Sequence, residues 1–358
     1  MRLTLLLLAG LAVSTPAAAQ VRDSSARMER VADGVYAIIH DDATDQWPHG
    51  NTGVIVGSDG VLVVDACYLP SRARADIALI RRVTNRPVRY LVYTHWHFDH
   101  NNGASAYVAA YPGVQIVSER EMADWIPLNA IYWSRLSSRP DSYRRAALAA
   151  LEREVSTGAD STGRALTDEE RRKKSRAVTQ RKAELAELAT LKPVAPNLRF
   201  QGTLTLDVGR QVVLRDRGKA NSPHDVTIWL PADSVLFTGD IVVQSPLPYV
   251  GSSWPVPWIR VLKDIEGEPA RTVVPGHGPV MHDMSYVRQV RALLEAGNAA
   301  ARAGALDGRT LDWLQDSVHL DEIRRATPAW QDPSLDEDWR ESVRILLDRA
   351  WRGVRGQG

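Results

Sequence analysis

Short apolar runs separated by Gly, Asp and Pro dominate the chain from Val31 to about Val117. Four of these runs are rich in β-branched or aromatic residues and predict strands: VYAIIH, TGVIVG, VLVVDA and YLVYTH. The sequence GSDG between the second and third runs predicts a hairpin turn. Between the third and fourth runs, Ala75, Leu79 and Val83 lie at helical spacing, so we expect a layered α/β architecture.

The pattern changes from about Glu119 to Lys192, where charged and alanine-rich stretches replace the strand signals. The segment TDEERRKKSRAVTQRKAELAELATL begins with a capping box, Thr167 to Glu170, and carries Leu185, Leu188 and Leu191 at helical spacing. We interpret this region, about residues 120–195, as a helical insertion. Its RRKK run fits a solvated helix face better than a basic binding patch, because acidic residues flank it.

Strand patterns return after the insertion, in GTLTLDV, QVVLRD, VTIWLP, SVLFTGD and RTVVPGHG. After His282 apolar stripes at helical spacing predict helices to the end of the chain. The members of these stripes are Val287, Val290 and Leu294, then Trp339, Val343, Leu346 and Ala350. We therefore predict one domain over residues 28–282, which contains the insertion, and a helical C-terminal extension over residues 283–358.

The first nineteen residues combine a basic start at Arg2, an apolar run from Leu3 to Val13 and small residues up to Ala19. This pattern is typical of a cleaved secretory signal peptide, whereas the run is short for a membrane anchor and meets Pro16. We expect residues 1–19 to be removed and the protein to be periplasmic or secreted. After cleavage no membrane association is expected.

Composition narrows the classes of partner. The chain has 44 Lys and Arg residues against 43 Asp and Glu residues, a net charge of +1. This balance gives no reason to expect nucleic acid or an anionic membrane as a binding partner. A small-molecule substrate is expected instead, and the pattern makes no prediction about oligomeric state. Cys67 is the single cysteine, which excludes an intrachain disulfide, and we interpret it as a small core residue.

The segment HWHFDH, residues 95–100, follows directly on the buried-strand pattern YLVYTH. Residues two apart on an extended chain project to the same side, so His95 and His97 are expected to lie together. Asp99 and His100 follow where NNG predicts a loop. Four ligand-type side chains at the end of a central strand favour a metal site over a cluster of surface histidines. Histidine and carboxylate donors suit zinc first, with iron or manganese as alternatives.

HWHFDH resembles the His-x-His-x-Asp-His signature of the metallo-β-lactamase superfamily, and the family's later motifs occur in order. NSPHDVTIWLP supplies His224, VLFTGD supplies Asp240, and VVPGHGP supplies His277. The resemblance implies an αββα sandwich, in which two sheets pack face to face with helices outside. It also implies two zinc ions, one held by His95, His97 and His224 and the other by Asp99, His100 and His277, with Asp240 bridging.

This resemblance implies a zinc-dependent hydrolase in which a metal-bound hydroxide attacks a carbonyl of a β-lactam, lactone, ester or thioester. Asp99 would orient the hydroxide and shuttle its proton. An aspartate at Asp240 resembles glyoxalase II-like hydrolases more than common β-lactamases, whereas export favours a β-lactam over a cytosolic thioester. The alternative is a non-hydrolytic or redox member of the fold with structural or iron metals, acting with a partner protein.

Residues that contact substrate are predicted less directly. DQWPHGNTG precedes the second strand where the family often carries a loop over the metals, so Trp47 and His49 are predicted to bind substrate. Tyr249, Trp254 and Trp258 follow Asp240 and form either an aromatic wall or packing against the insertion. The basic residues of the segment RDRGK, 215–219, are expected to face solvent, with an anionic substrate group as the alternative.

Overall fold

Two β-sheets organise the residues that the computed structural model describes, which are 26–40, 49–244 and 247–356. The predicted signal peptide and Trp47 lie outside these ranges. The first sheet contains seven strands in chain order, antiparallel from β1 to β4 and parallel from β4 to β7. They are β1 (Arg27–Ala32), β2 (Val35–Ile39), β3 (Thr52–Val56), β4 (Val61–Val64), β5 (Val88–Val92), β6 (Gln115–Glu119) and β7 (Leu198–Phe200). The predicted hairpin is confirmed, since Val56 pairs with Val61 across it.

The second sheet contains five strands in the order β12-β11-β10-β9-β8. Neighbours are antiparallel except β11 and β12, which run parallel. These strands are β8 (Thr203–Asp207), β9 (Gln211–Asp216), β10 (Val226–Leu230), β11 (Val235–Val243) and β12 (Thr272–His277). Strand β11 is buried along its whole length, as its apolar sequence VLFTGDIVV requires.

The two sheets share one hydrophobic core. Val54 and Leu91 of the first sheet belong to the same buried cluster as Leu214 and Ile228 of the second. On the outer side of the second sheet, Trp229 and other side chains pack in another cluster with helices α6, α7 and α10. The predicted sandwich of two sheets with helices outside is therefore confirmed.

Ten α-helices surround the sheets within the described ranges. They are α1 (Pro70–Val83), α2 (Ala104–Ala110), α3 (Met122–Ser138), α4 (Tyr143–Thr157), α5 (Asp168–Ala189), α6 (Pro255–Glu266), α7 (Ser285–Leu306), α8 (Leu311–Ser317), α9 (Asp321–Ala326) and α10 (Asp336–Val354). Across those ranges no helix combines the length and apolarity that a bilayer crossing demands.

Helices α3, α4 and α5 form the segment between β6 and β7 where the sequence indicates an insertion. The predicted capping box is confirmed, because the Thr167 hydroxyl accepts a hydrogen bond from the Glu170 amide while the Glu170 carboxylate accepts from the Thr167 amide. Helix α3 packs on the segment that follows β5, where the rings of Trp133 and Phe98 lie 5.6 Å apart. The insertion is therefore joined to the edge of the sheet that carries HWHFDH.

The helices after β12 support the end of β11. The Tyr286 hydroxyl donates to the Val243 carbonyl at 2.8 Å and accepts from Trp330 Nε1 at 3.0 Å. Both rings are buried, so neither polar group has water as an alternative partner. This pair of hydrogen bonds connects the C-terminal extension to the strand that contains Asp240.

Replacing Tyr286 with Phe tests this connection. The Tyr286→Phe variant leaves the buried Trp330 Nε1–H without its acceptor, so we expect the free energy of unfolding to fall by about 1–3 kcal/mol. Urea denaturation followed by tryptophan fluorescence measures the change. Tyr132→Phe is the matched control, because the Tyr132 ring is 60% exposed and its substitution should leave the midpoint unchanged. Equal midpoints for both variants would contradict the assignment.

Candidate metal centre

The segment Thr94 to His100 leaves the carboxyl end of β5, which lies between the parallel strands β4 and β6. His95 and His100 are fully buried, and the His97 side chain is 13% exposed. A short 3₁₀ turn over Phe98–His100 folds Asp99 and His100 back toward the strand end. The loop that NNG predicts therefore gathers the ligand-type side chains at one sheet edge.

Six of the seven side chains predicted to bind metal converge in two groups. His95, His97 and Asp240 offer donor atoms within 4.8 Å of one another, and so do Asp99, His100 and His277. Asp240, from β11, lies between the groups. The structure brings the six side chains together in one compact centre. That they bind metal remains a prediction from the motif.

The Asp240 carboxylate turns one oxygen toward each group. Its Oδ2 lies 3.5 Å from His95 Nε2 and 3.8 Å from His97 Nδ1. Its Oδ1 lies 3.2 Å from His100 Nε2 and 3.4 Å from His277 Nε2. Asp99 Oδ2 completes the second group at 3.2 Å from His277 Nε2. A bidentate bridging carboxylate has this disposition of oxygens.

Asp65, at the end of β4, orients the histidines through hydrogen bonds that the sequence analysis missed. Its Oδ2 lies 2.7 Å from His100 Nδ1 and accepts the Thr94 hydroxyl at 2.8 Å. Thr94 Oγ1 in turn lies 3.0 Å from His95 Nδ1. These partners favour a proton on Nδ1 of both rings, so each Nε2 presents its lone pair to the centre. A carboxylate that ends the buried run VLVVD, beside the HWHFDH strand, was the available signal.

The glycine-rich turn that carries His277 is held by Asn51, at the start of β3. The Asn51 side-chain amide donates to the Pro275 carbonyl at 3.0 Å and to the Gly278 carbonyl at 2.8 Å. Gly276 lets the turn approach Asp240, because a Cβ atom there would lie 2.0 Å from Asp240 Oδ1. The pattern Gly-His-Gly therefore serves close packing as well as carrying the histidine.

Burial and mutual attraction set the protonation of the centre. Burial, with help from His100, lowers the pKa of His95 to about 4. Burial acts to raise the pKa of Asp99, but His100 and His277 lower it to about 2. Burial acts to lower the pKa of His277, but Asp240 and Asp99 raise it to about 9. Without a cation, protons on imidazoles therefore supply the positive charge that the buried carboxylates demand.

These donors fit divalent cations. His95 Nε2 lies 2.8 Å from His97 Nδ1, and His100 Nε2 lies 3.1 Å from His277 Nε2, so ring nitrogens that can exchange a proton for a cation face each other in both groups. Asp240 Oδ1 is buried, and its neighbours among the described residues are the Nε2 atoms of His100 and His277. Imidazole and carboxylate donors without thiolate are the set that zinc, manganese or iron accepts.

His224 does not join either group. Its Nδ1 lies 3.3 Å from Asp216 Oδ1 and 3.7 Å from Glu119 Oε2, and its Nε2 lies 3.2 Å from Glu121 Oε2. Its pKa rises to about 9, chiefly through the hydrogen bond to Asp216. The loop before β10 closes on itself, since the Arg217 amide donates to the Asp225 carbonyl at 2.8 Å. His224 therefore lies at the base of this loop, beside the end of β9.

Ser252, from the segment between β11 and α6, connects the tip of the same loop to His97. Ser252 Oγ lies 2.9 Å from His97 Nε2 and donates to the Asn221 carbonyl at 3.2 Å. Asn221 is fully buried, its amide nitrogen donates to the Tyr249 carbonyl at 2.6 Å, and its Oδ1 has no hydrogen-bond partner among the described residues. Asn221 and Ser252 were not predicted from the sequence: Asn221 lies in the segment NSPHDVTIWLP, where the prediction chose His224, and no pattern distinguishes Ser252 from ordinary loop residues.

Of the two residues predicted to contact substrate, the structure describes His49. His49 is buried against the Tyr68 ring, 5.2 Å between centroids, and burial lowers its pKa to about 3, so its ring is neutral. Adjacent Gly50 lies against His100, where a Cβ would come within 2.5 Å of the ring. His49 thus lies beside the centre, and its contact with substrate remains a prediction.

Among the aromatic residues after Asp240, Tyr249 lies closest to the centre, 5.5 Å from the His97 ring and 51% exposed. Trp258 is fully buried and donates to the Ile241 carbonyl, so it belongs to the core. Trp254 packs under the cation of Lys219 at 5.1 Å. Arg215 and Arg217 both pair with Glu268 and are therefore engaged within the protein.

Cys67 is buried, as predicted for a core residue, but it has polar neighbours. Its Sγ donates to Asp76 Oδ2 at 2.8 Å and lies 3.2 Å from His40 Nε2. Burial, with Asp76 next in effect, raises the pKa of the thiol well above its usual value. The protonated thiol is therefore a hydrogen-bond donor to Asp76 rather than a nucleophile.

Comparison with known proteins identifies relatives of this arrangement. The family model of the metallo-beta-lactamase superfamily matches residues 45–296. The linear primary-alkylsulfatase of Pseudomonas sp. (strain ATCC 19151) is 22% identical over 280 residues, 75% of this chain and 48% of that protein. This chain therefore spans about half the length of that curated relative.

Solved structures share the fold. The stereoselective inverting sec-alkylsulfatase Pisa1 from Pseudomonas sp. superposes with a TM-score of 0.62 at 17% identity, over 92% of this chain and 50% of that one. A metallo-beta-lactamase from Pontibacter korlensis superposes with a TM-score of 0.51 at 18% identity, over 76% of this chain and 99% of that one. The alkylsulfatase thus matches a larger share of this chain than the β-lactamase does.

Asp65 is expected to control metal affinity without binding the metal. In Asp65→Asn the amide no longer provides a charged acceptor for His100 Nδ1, so we expect metal affinity to fall about 10–100-fold. Competition with a chelator of known affinity measures this. Asp59→Asn, an exposed aspartate in the β3–β4 turn, is the control and should bind like the wild type. Unchanged affinity in Asp65→Asn would refute the orienting role.

Gly276 is expected to be irreplaceable by alanine. The Cβ of Gly276→Ala would displace Asp240, so we expect the purified variant to hold at least one metal equivalent fewer than the wild type. Metal analysis and circular dichroism on the same sample separate this effect from unfolding. Gly113→Ala is the control, since a Cβ at Gly113 meets nothing within 4 Å. A folded Gly276→Ala protein with full metal content would contradict the close approach.

Proposed function

The chain belongs to the metallo-β-lactamase superfamily, and we propose that it is a dinuclear metal-dependent hydrolase of a small molecule. The observation that carries the proposal is the Asp240 carboxylate, with one oxygen toward His95 and His97 and the other toward His100 and His277. A carboxylate shared by two donor groups suits a pair of cations. We propose zinc for both, because the donors are histidine and carboxylate.

Two bound cations would supply Lewis acidity and lower the pKa of a water molecule to about 7. The protein's own residues supply position and proton transfer. Asp99, with its pKa lowered to about 2, is ionised at neutral pH and can hold the attacking water through a hydrogen bond. The same carboxylate can accept the proton that the water loses and return it to the leaving group.

Apolar side chains border the centre and indicate a substrate with an apolar part. The Trp96 ring lies 6.1 Å from His97 and 6.4 Å from Trp125. Trp125 is 55% exposed on α3, and Leu128, one turn further, is 58% exposed. Trp96, Trp125 and Tyr249 form an apolar rim beside His97, where a substrate can leave water while its reacting bond faces the carboxylates.

The bond that we propose is a carbonyl bond of a β-lactam, lactone, ester or thioester. A sulfate ester is the second candidate, because one alkylsulfatase is similar to this chain over 280 residues and another superposes on 92% of it, against 76% for the β-lactamase. The basic and apolar pattern of residues 1–19 adds the proposal that the enzyme acts after export.

A substrate panel tests the function. We expect zinc-loaded protein to turn over one class among nitrocefin, an aryl ester, a γ-lactone, an acyl thioester and an alkyl sulfate. Asp99→Asn should lower kcat at least about 100-fold, as expected for loss of an acid–base group. Asp124→Asn, an aspartate 72% exposed on α3, is the control and should keep full activity.

Metal content is measured on each sample of the panel. At least two equivalents of zinc with turnover of one class would identify the bond. At least two equivalents with no turnover of any class would overturn the hydrolase proposal and favour a structural or redox role for the metals.

A further inference from the structure

Glu119, Asp216 and His224 form a third group of donor atoms, all within 4.8 Å of one another. They come from different parts of the fold. Glu119 ends β6 in the first sheet, Asp216 ends β9 in the second, and His224 lies in the loop before β10. Glu121, just before α3, approaches from the solvent side with Oε2 3.2 Å from His224 Nε2.

The Glu119 side chain shows that this group is more than surface charge. It is fully buried, and its Oε2 accepts the Glu121 amide at 2.7 Å and the Met122 amide at 3.0 Å. Its Oε1 is also buried and has no hydrogen-bond partner among the described residues. A buried carboxylate oxygen without a partner is costly, and a cation beside it removes that cost.

The charges of the group do not balance. Three carboxylates face one imidazole, and within the described ranges no Lys or Arg nitrogen lies within 4 Å of the carboxylates of Glu119, Glu121 or Asp216. Nearby Arg217 is directed to Glu268 instead. Even with His224 protonated, the group carries a net charge of −2, which attracts a divalent cation.

We propose that Glu119, Asp216 and His224, with Glu121 at the rim, bind one divalent cation outside the dinuclear centre. One imidazole and carboxylate oxygens suit zinc or manganese better than calcium, which prefers oxygen donors alone. His224 is thereby a ligand of this additional site rather than of the centre that contains His95 and His97. The proposal does not depend on the hydrolase function, because its donor atoms belong to other residues.

Zinc stoichiometry tests the site. The full chain is stripped of metal, loaded with zinc alone, desalted and analysed for zinc per chain. We expect Asp216→Asn to hold one equivalent of zinc fewer than the wild type. If the dinuclear centre is full, the wild type holds three zinc ions per chain and the variant holds two. Asp207→Asn is the matched control, because Asp207 accepts the Gly209 amide at 2.7 Å as Asp216 accepts the Gly218 amide at 2.8 Å. It should hold as much zinc as the wild type.

The proposal is decided by the difference in zinc per chain between the wild type and Asp216→Asn, not by the total zinc content. A dinuclear centre that fails to fill would lower both totals equally and would leave this difference unchanged. Glu121→Gln covers the case in which Asp216→Asn does not fold, since Glu121 is 66% exposed and its loss should raise the dissociation constant for the additional zinc at least tenfold. Equal zinc content and affinity in the wild type and both variants would overturn the proposal. Loss of turnover together with zinc in His224→Gln, but not in Asp216→Asn, would also overturn it and place His224 in the centre.

Discussion

The burial of the Asp240 carboxylate is the constraint on which the rest of the structure depends. The side chain is 5% exposed and lies among four imidazole rings, where burial opposes its charge and His100 and His277 favour it. Removing such a carboxylate from water is costly unless opposite charge and hydrogen-bond donors surround it. The histidines come from the segment after β5 in one sheet and from the end of β12 in the other. The two sheets must therefore meet with their strand ends at the same place.

Small residues make this meeting possible. Gly239 adopts a φ of +50°, and a Cβ there would lie 2.6 Å from Thr94 Cβ, so the glycine before Asp240 lets β11 approach the end of β5. Gly276 does the same on the other side of Asp240. The aspartate is consequently enclosed by backbone on two sides.

The sequence predicts the parts of this arrangement that are local. The strand runs, the hairpin, the capping box and the crowding of His95 to His100 follow from periodicity and turn residues, and the structure contains them. Asp240 and His277 were predicted from their order along the chain and do meet the HWHFDH segment. Their contacts bridge more than a hundred residues, so only the family resemblance could indicate them.

His224 shows where order along the chain fails to determine position. The motif places a histidine before β10, but the fold of the loop decides which residue reaches the centre. Hydrogen bonds between Arg217, Gly218 and Asp225 close the loop, and its tip, Asn221, lies toward His97 while His224 remains at the base. Asp65 and Asn51 were not predicted for a related reason, because each acts through partners distant in sequence.

Helix α3 of the insertion contacts both the group formed by Glu119, Asp216 and His224 and the segment that carries His95 to His100. Glu119 accepts the first amides of α3, and the same helix carries Trp125 and Trp133, which pack on Trp96 and Phe98. Those two rings alternate with His95, His97 and Asp99 along the chain. Interactions that hold Glu119 beside Asp216 and His224 therefore also hold the start of α3 against both sheets. They also position Trp125, which belongs to the apolar rim beside His97. The charged residues at the end of β6 and the aromatic side chains after β5 therefore both depend on the packing of α3.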